Sequence, residues 1–195
     1  MSSTFEHRLN QITDKLLSQE LLTNAGLGNE IGFYIFDYPP EHELRVRRFI
    51  PIIEDQIKKR RPDLHFIHIN LFSLIIDYLK ERNLLDRSYQ KQKSEGDEAL
   101  LRALKGPLNV NEKVAPYFVQ KVRPEEQDLV LLSGIGSAWP LVRTHSLLNN
   151  LQNHMQNKPL VIFYPGIYDG LELRLFDRVK DKNYYRAFKL VPPSI

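Results

Sequence analysis

The sequence of 195 residues lacks cysteine altogether and has only one tryptophan and two methionines. Without cysteine, the chain cannot form disulfides, bind zinc or iron–sulfur clusters through thiolates, or use a thiol nucleophile. This absence fits a reducing cytosol. No apolar run approaches the ~20 residues that span a bilayer, and the polar residues 1–10 are not typical of a secretory signal. We therefore expect a cytoplasmic chain without a membrane segment.

The sequence also lacks the motifs of common nucleotide and metal sites. The phosphate-binding pattern Gly-x-x-x-x-Gly-Lys-[Ser/Thr] does not occur, and Tyr-Pro-Pro at 38–40 follows the first predicted strand, where that loop would stand. Gly134 and Gly136 lack the third glycine of a dinucleotide fingerprint. His65 and His68 lie three apart in a predicted strand, which sends them to opposite faces. The sequence therefore predicts no cofactor, no metal ion and no complete catalytic motif.

The composition is that of an ordinary globular protein, with 42% hydrophobic, 26% charged and 10% aromatic residues. Lysine and arginine number 27 against 24 aspartates and glutamates, and this net charge of +3 neither requires nor excludes a nucleic-acid partner. A chain of this length buries one sizeable core without disulfides or metals. We expect a single domain over residues 1–195.

Alternating strand and helix patterns indicate the fold class. Apolar runs without polar alternation are typical of strands buried on both faces, as in a parallel sheet covered by helices. The predicted strands are 31–37, 64–71, 128–133, 159–164 and a last one near 184–191. Helices are predicted at 5–22, 41–61, 72–81 and 140–156, the last with Pro140 in its first turn. The sequence thus predicts an α/β three-layer sandwich with a mostly parallel central sheet.

Residues 83–127 differ in character from the rest of the chain. They carry charges of both signs and the Gly106-Pro107 break, with helical patterns at 98–105 and 112–122. About 45 residues would hold a weak core alone. We interpret this segment as a helical insertion on the sheet scaffold.

The carboxyl ends of the predicted strands carry the first set of candidate site residues. Ligands of parallel sheets bind at this edge, and a glycine-containing turn before a helix presents free N–H groups to an anion. The candidates here are Asp37, Tyr38, Ser133, Gly134, Gly136 and Ser137. The turn at 133–137 fits a phosphoesterase or nucleotide-binding site, or simply a tight turn that needs glycine.

The predicted helix 41–61 is rich in positive charge. Its candidate basic patch consists of Arg45, Arg47, Arg48, Lys58, Lys59, Arg60 and Arg61. Such a stretch is either a solvated helix face or a surface that contacts phosphates. A DNA-binding accessory subunit that uses this helix is therefore an alternative function.

Three sequence blocks carry a family resemblance. The first joins LTNAGLGNE at 22–30 to FDYPPE at 36–41, and the second is RTHSLLNNLQ at 143–152. The third begins with FYPGIYDG at 163–170 and continues through LRLF at 173–176 to NYYRAF at 183–188. Together these blocks resemble the BrxB family of bacterial BREX phage-defence systems.

The resemblance implies a biological setting, a phage-defence system, but no particular catalytic reaction. BREX systems combine a DNA methyltransferase, a large ATPase and PglZ, a protein of the alkaline-phosphatase superfamily. A relative of BrxB is expected in the bacterial cytoplasm as a non-catalytic component of antiviral defence that binds PglZ or another BREX subunit. A weak contact with DNA is the alternative.

The polar residues of these blocks form a candidate interaction or anion surface. They are Asp37, Tyr38, Arg143, His145, Asn149, Asn150, Tyr168, Asp169 and Arg186. The family supplies no catalytic residues to transfer. Asparagine and aspartate at such positions equally cap helices and close turns.

Overall fold

The structure is a computed structural model that describes residues 2–24, 32–155, 158–180 and 187–193. Its helices are α1 (Ser2–Asn10), α2 (Ile12–Leu16), α3 (Gln19–Leu22), α4 (Glu43–Arg60), α5 (Leu71–Glu81), α6 (Leu85–Glu95), α7 (Asp97–Leu104), α8 (Ala115–Val122), α9 (Ile135–Ala138) and α10 (Thr144–Leu151). Its strands are β1 (Phe33–Tyr38), β2 (Phe66–Asn70), β3 (Leu129–Ser133), β4 (Leu160–Tyr168), β5 (Leu173–Leu175), β6 (Val179–Lys180) and β7 (Phe188–Lys189).

The sheet has the strand order β2-β3-β4-β1-β7, with β5 and β6 attached beyond β4. Neighbours within that order pair in parallel, whereas β4 pairs with β5, and β5 with β6, in antiparallel fashion. The α/β class is therefore confirmed and the sheet is mixed. The predicted mostly parallel sheet is not confirmed, because the prediction did not include the antiparallel pairs β4–β5 and β5–β6.

Helices cover both faces of the sheet because alternate strand residues pack on opposite sides. In β1, Phe33 and Ile35 join a core cluster with residues of α5, α8 and α10. Tyr34 and Phe36 join a second cluster with residues of α1, α2 and α4. All six residues of β1 are buried, as an apolar run without polar alternation predicts.

The N-terminal segment differs from its prediction, because the single helix expected at 5–22 is wrong. It is broken into α1, α2 and α3, with interruptions at Gln11 and at Leu17–Ser18. Ser18 is in an extended conformation, and its hydroxyl accepts a hydrogen bond from the N–H of Leu21. This cap starts α3 as a new helix although the apolar spacing continues across the break.

The segment between α5 and β3 is helical, with α6, α7, a π-helical turn at Val110–Val114, and α8. The helical patterns at 98–105 and 112–122 correspond to α7 and to the π turn followed by α8. Tyr117 and Phe118 of α8 are buried in the same cluster as α5 and α10. Helices α7 and α8 therefore share the core of the sheet, whereas α6 has no buried residue.

Two predicted element boundaries near the C-terminus are wrong. Pro140 lies in the turn before α10, which starts only at Thr144 because Arg143 is still extended. Strand β4 does not end at Tyr164 but continues through Pro165 and Gly166 to Tyr168. The carbonyl of Pro165 accepts a hydrogen bond from the N–H of Phe176, so pairing with the next segment persists past the proline. Of the strand predicted at 184–191, β7 is a strand and 184–186 lie outside the described residues.

Candidate functional site

Asp37, at the carboxyl end of β1, is buried and bonds other segments of the chain. Its burial differs from the surface position expected from the sequence. Its side chain is 9% exposed, and one carboxylate oxygen accepts from Arg8 Nη2 of α1 at 2.6 Å. The other oxygen accepts from the N–H of Tyr168 and from Lys189 Nζ, each at 3.2 Å. This one carboxylate therefore joins α1, β1, the end of β4 and β7.

The two tyrosines predicted for the interaction surface are likewise buried. The hydroxyl of Tyr38 donates to Glu43 Oε2 at 2.6 Å, and burial followed by the charge of Glu43 raises the pKa of Tyr38. The hydroxyl of Tyr168 donates to the carbonyl of Ala187 at 2.7 Å. Both side chains hold segments together and are not available to a partner protein.

Asp169 is exposed but closes a turn. Its carboxylate accepts from the N–H groups of Leu171 at 2.9 Å and of Glu172 at 2.7 Å. These hydrogen bonds favour the charged form and lower the pKa of Asp169. The turn-forming interpretation of this residue therefore fits the structure.

The turn at 133–137 is tight, as the turn-forming interpretation of its glycines predicts. Gly134 has a left-handed conformation with φ 72°, and a Cβ at this position would clash with the side chain of Asn70. The helix after it, α9, has only four residues. Ser137 accepts a hydrogen bond from Arg47 Nη2 at 2.6 Å. Glycine is needed here for the turn and for the contact with Asn70.

Ser133, at the carboxyl end of β3, is buried and was therefore also misplaced on a surface. Its hydroxyl lies 2.7 Å from Nε2 of His68 on the neighbouring strand β2. The opposite ring nitrogen of His68, Nδ1, lies 2.6 Å from Oε1 of Glu54 on α4. Burial lowers the pKa of His68 below its ordinary value, although the charge of Glu54 and its hydrogen bond oppose that shift.

The candidates on α10 are divided between internal bonds and the surface. Nδ2 of Asn150 donates to the carbonyl of Ser146 at 2.8 Å, and the ring of His145 lies 3.1 Å from the Ser146 hydroxyl. Arg143 and Asn149 are exposed. Arg186 lies outside the described residues.

The basic patch on α4 is largely neutralised by ion pairs. Arg45, Arg47, Lys59, Arg60 and Arg61 pair with Glu6, Glu43, Asp55, Asp14 and Asp63, all at 2.6–2.7 Å. Lys58 Nζ lies 6.0 Å from the ring centroid of Phe66, and Arg48 is exposed. Phosphates would have to compete with five carboxylates for this helix, so its geometry favours the solvated face over a DNA-contacting surface.

Sequence reasoning missed a contact between two aromatic side chains, the exposed Trp139 and the partly buried Phe176. Trp139 is 40% exposed, and its ring meets that of Phe176 edge to face at 6.3 Å between centroids. Phe176 packs against Gly136, which precedes Ser137 and its bond to Arg47. We call Arg47, Ser137, Trp139 and Phe176 the rim patch. Arg47 and Ser137 are among the candidates predicted from the sequence, whereas the only sequence signal for the aromatic pair is that Trp139 is the single tryptophan.

The described residues contain no group of three or more histidines or carboxylates that could hold a metal ion. Within the same residues, no helix has the length and apolar character needed to cross a membrane. An open cavity of about 430 Å³ lies beside β2 and α5, lined by residues that include His68, Asn70 and Tyr117.

These features define a class: an α/β protein with a mixed sheet, whose polar strand ends are used mainly for internal bonds. A family model described as "BREX protein BrxB" matches residues 67–190. A BREX protein BrxB from Escherichia coli O9:H4 (strain HS) is 45% identical over 189 residues, which cover 97% of this chain and 92% of that protein. A BREX protein BrxB from Bacillus cereus (strain H3081.97) is 40% identical over 187 residues, covering 94% of this chain and 96% of that protein.

The chain belongs to the BrxB family, as its three sequence blocks predict. It is thus a relative of BREX components, which supports a role in phage defence. No solved structure matches the chain.

Proposed function

We propose that this chain is a protein-interaction component of a BREX phage-defence complex in the bacterial cytoplasm, and that its partner is PglZ. The family supports this setting, and the Trp139 ring, which is 40% exposed and packs edge to face on the partly buried Phe176, supports a contact surface at this position. An assembly role needs no catalytic group of its own, which agrees with the internal use of Asp37, Tyr38 and Tyr168.

The rim patch has the composition of an interface centre. Tryptophan, phenylalanine and arginine are enriched where protein partners meet, and tryptophan and arginine dominate the binding energy there. Arg47 keeps 46% of its side chain exposed while Glu43 and Ser137 hold its guanidinium in place. Phe176 supports the indole ring from the side at 90°. The Arg47 guanidinium and the Trp139 ring are thus held in position before a partner binds.

The rim patch also packs directly on the sheet. Its residues are joined to the sheet through Gly136, where a Cβ would press on Phe176 and Pro165. A stable contact buries about 800 Å² on each partner, so a PglZ interface must extend beyond these four residues. Exposed Arg143, which immediately precedes α10 and lies four residues after Trp139 in the sequence, is a candidate for that extension.

The experiment is copurification of the tagged chain with PglZ at ~150 mM salt, a concentration that screens weak surface charge pairs. We expect the natural sequence to retain PglZ. Loss of a central tryptophan costs about 2 kcal/mol or more of binding free energy, so Trp139→Ala should weaken binding about 30-fold or more.

Tyr89→Ala is the matched control, because Tyr89 is an aromatic residue of α6 that is 57% exposed and lies outside the rim patch. It should bind like the natural sequence. The docking proposal is wrong if Trp139→Ala retains PglZ as well as Tyr89→Ala does. It is also wrong if the natural chain retains no PglZ while both proteins are folded.

A further inference from the structure

A serine, a histidine and a glutamate from three different elements form one continuous hydrogen-bonded chain at the edge of the sheet. Ser133 Oγ lies 2.7 Å from His68 Nε2, and His68 Nδ1 lies 2.6 Å from Glu54 Oε1. The docking role described above uses none of these three side chains. They lie on α4, β2 and β3, and none of the three positions is adjacent to another in sequence.

The strand register explains why the three groups meet. Asn70 of β2 is opposite Ser133 of β3, so His68 lies two residues earlier on the same face of the sheet. Leu131, two residues before Ser133, packs in the cluster that includes the inner side of α4. The histidine therefore lies between the end of β3 and the helix that carries Glu54.

The partners of the two ring nitrogens assign the direction of proton donation along this chain. A neutral imidazole has one N–H donor and one nitrogen acceptor. Because Nδ1 faces the Glu54 carboxylate, it carries the proton and donates, which leaves Nε2 to accept from the Ser133 hydroxyl. The lowered pKa of His68 keeps the ring neutral near pH 7, the form in which it can accept a proton.

This arrangement is the one that activates a serine. A nucleophile within hydrogen-bond reach of a base, with the base oriented by a third group, is the general signature of covalent catalysis. We propose that Ser133 is a nucleophile toward small carboxylic esters, with His68 as its general base and Glu54 as the positioning residue for His68.

The proposed reaction balances as an acyl transfer followed by hydrolysis. The Ser133 oxygen forms a bond to the ester carbonyl carbon, and its proton passes to His68 Nε2. The ester C–O bond breaks, and the leaving alkoxide takes that proton from His68. Water then attacks the acylated serine through the same base, which releases the acid and restores the hydroxyl.

Access to the site is from the edge of the sheet. Strand β2 stands at one end of the strand order, and the side chains of His68 and Glu54 are 21% and 26% exposed. Ser133 itself is 4% exposed, which restricts the site to small electrophiles. The test therefore uses a small alkyl fluorophosphonate. The Ser133 oxygen would form a bond to phosphorus, fluoride would leave, and the serine proton would pass to His68.

We expect peptide mass mapping to find the phosphonyl group on Ser133. His68→Gln should slow labelling about 100-fold or more, the usual contribution of a general base, and Glu54→Gln should slow it by a smaller factor. Ser94→Ala is the matched control, since Ser94 is an exposed serine of α6 whose hydroxyl donates to the carbonyl of Gln90 and which belongs to neither proposed site. Free imidazole should restore part of the labelling in His68→Ala, which a merely structural histidine would not allow.

A second measurement uses p-nitrophenyl acetate, which the natural chain should hydrolyse faster than Ser133→Ala. Thermal melting of each variant verifies that it is folded, and Glu54→Gln carries the test if His68→Gln does not fold. The inference is overturned if the folded natural chain stays unlabelled at Ser133, or if His68→Gln or Glu54→Gln labels at the natural rate. Retention of PglZ is measured separately and is not affected by any of these outcomes.

Discussion

The carboxylate of Asp37 holds together parts of the chain that are far apart in sequence, so its removal should destabilise the whole fold. The informative change is Asp37→Asn, which keeps the size of the side chain and removes its charge. The amide can still accept from the N–H of Tyr168. It leaves Arg8, whose side chain is 9% exposed, without its anionic partner at 2.6 Å.

The expected loss of unfolding free energy follows from the burial of the Asp37 carboxylate and the Arg8 guanidinium. Breaking a buried ion pair by removing one partner costs about 3–5 kcal/mol, because the remaining charge stays out of water without compensation. Lys189 is 26% exposed and can turn to solvent, so only one cation is trapped. We therefore expect the lower end, about 3 kcal/mol. At about 2–4 °C per kcal/mol for a chain of this size, Tm should fall by roughly 6–12 °C.

Urea unfolding at pH 7, followed by circular dichroism, measures this loss of unfolding free energy. Asp77→Asn is the matched control, because Asp77 pairs with Lys80 at 3.7 Å and its side chain is 60% exposed. An exposed pair of this kind contributes at most about 1 kcal/mol. The double variant Arg8→Met with Asp37→Asn removes the trapped charge and should be more stable than Asp37→Asn alone.

The reasoning fails if Asp37→Asn costs no more than Asp77→Asn. It fails equally if adding Arg8→Met brings no recovery, since the loss would then come from packing and not from an unpaired charge. Either result would show that α1 and β7 do not depend on this carboxylate.

Two further predictions concern the strand ends. Gly134→Ala should destabilise the protein by clearly more than Gly106→Ala in urea unfolding, because Gly134 has a left-handed φ of 72° and its Cβ would meet Asn70, whereas a Cβ at Gly106 meets nothing within 4 Å. Equal losses would refute a steric role for Asn70. Lowering the pH from 7 through His68's ordinary pKa should reduce the unfolding free energy, because the folded-state pKa of His68 is lowered and the unfolded chain binds the proton first. His68→Gln should flatten this dependence, and an unchanged slope in that variant would contradict the shift.

Local sequence patterns predicted the elements whose character is uniform over their length. The apolar run at 31–37 corresponds to β1, and the spacing of Val46, Ile50, Ile53 and Ile57 corresponds to the buried face of α4. Turn residues are less informative: Pro165 and Gly166 predict the end of the strand, but both lie inside β4. Pairing with β5 and the bond to Phe176 keep that segment extended, and neither is visible in the strand's own sequence.

The candidate site residues could be predicted by type but not by role. Asp37 and Ser133 are candidates because they lie at predicted strand ends, and in the structure Asp37 is the penultimate residue of β1 and Ser133 the last residue of β3. Their partners lie elsewhere: Arg8 is 29 residues from Asp37, and His68 is 65 residues from Ser133. A carboxylate at a strand end is a surface ligand or a buried anchor depending on such distant partners, so a single sequence cannot decide between them.

Helix α4 carries both Arg47 of the rim patch and Glu54 of the Ser133–His68–Glu54 chain, and this limits which variants separate the two proposals. Arg47 and Glu54 are seven residues apart, almost two full turns, so both project from the same face about 10 Å from each other along the axis. Arg47→Ala would remove the bonds to Glu43 and Ser137 and thereby loosen the helix that positions Glu54. Trp139→Ala removes an exposed ring and leaves every α4 contact in place. Loss of PglZ with unchanged labelling of Ser133 in that variant would therefore assign docking and reactivity to separate groups, which Arg47→Ala cannot do.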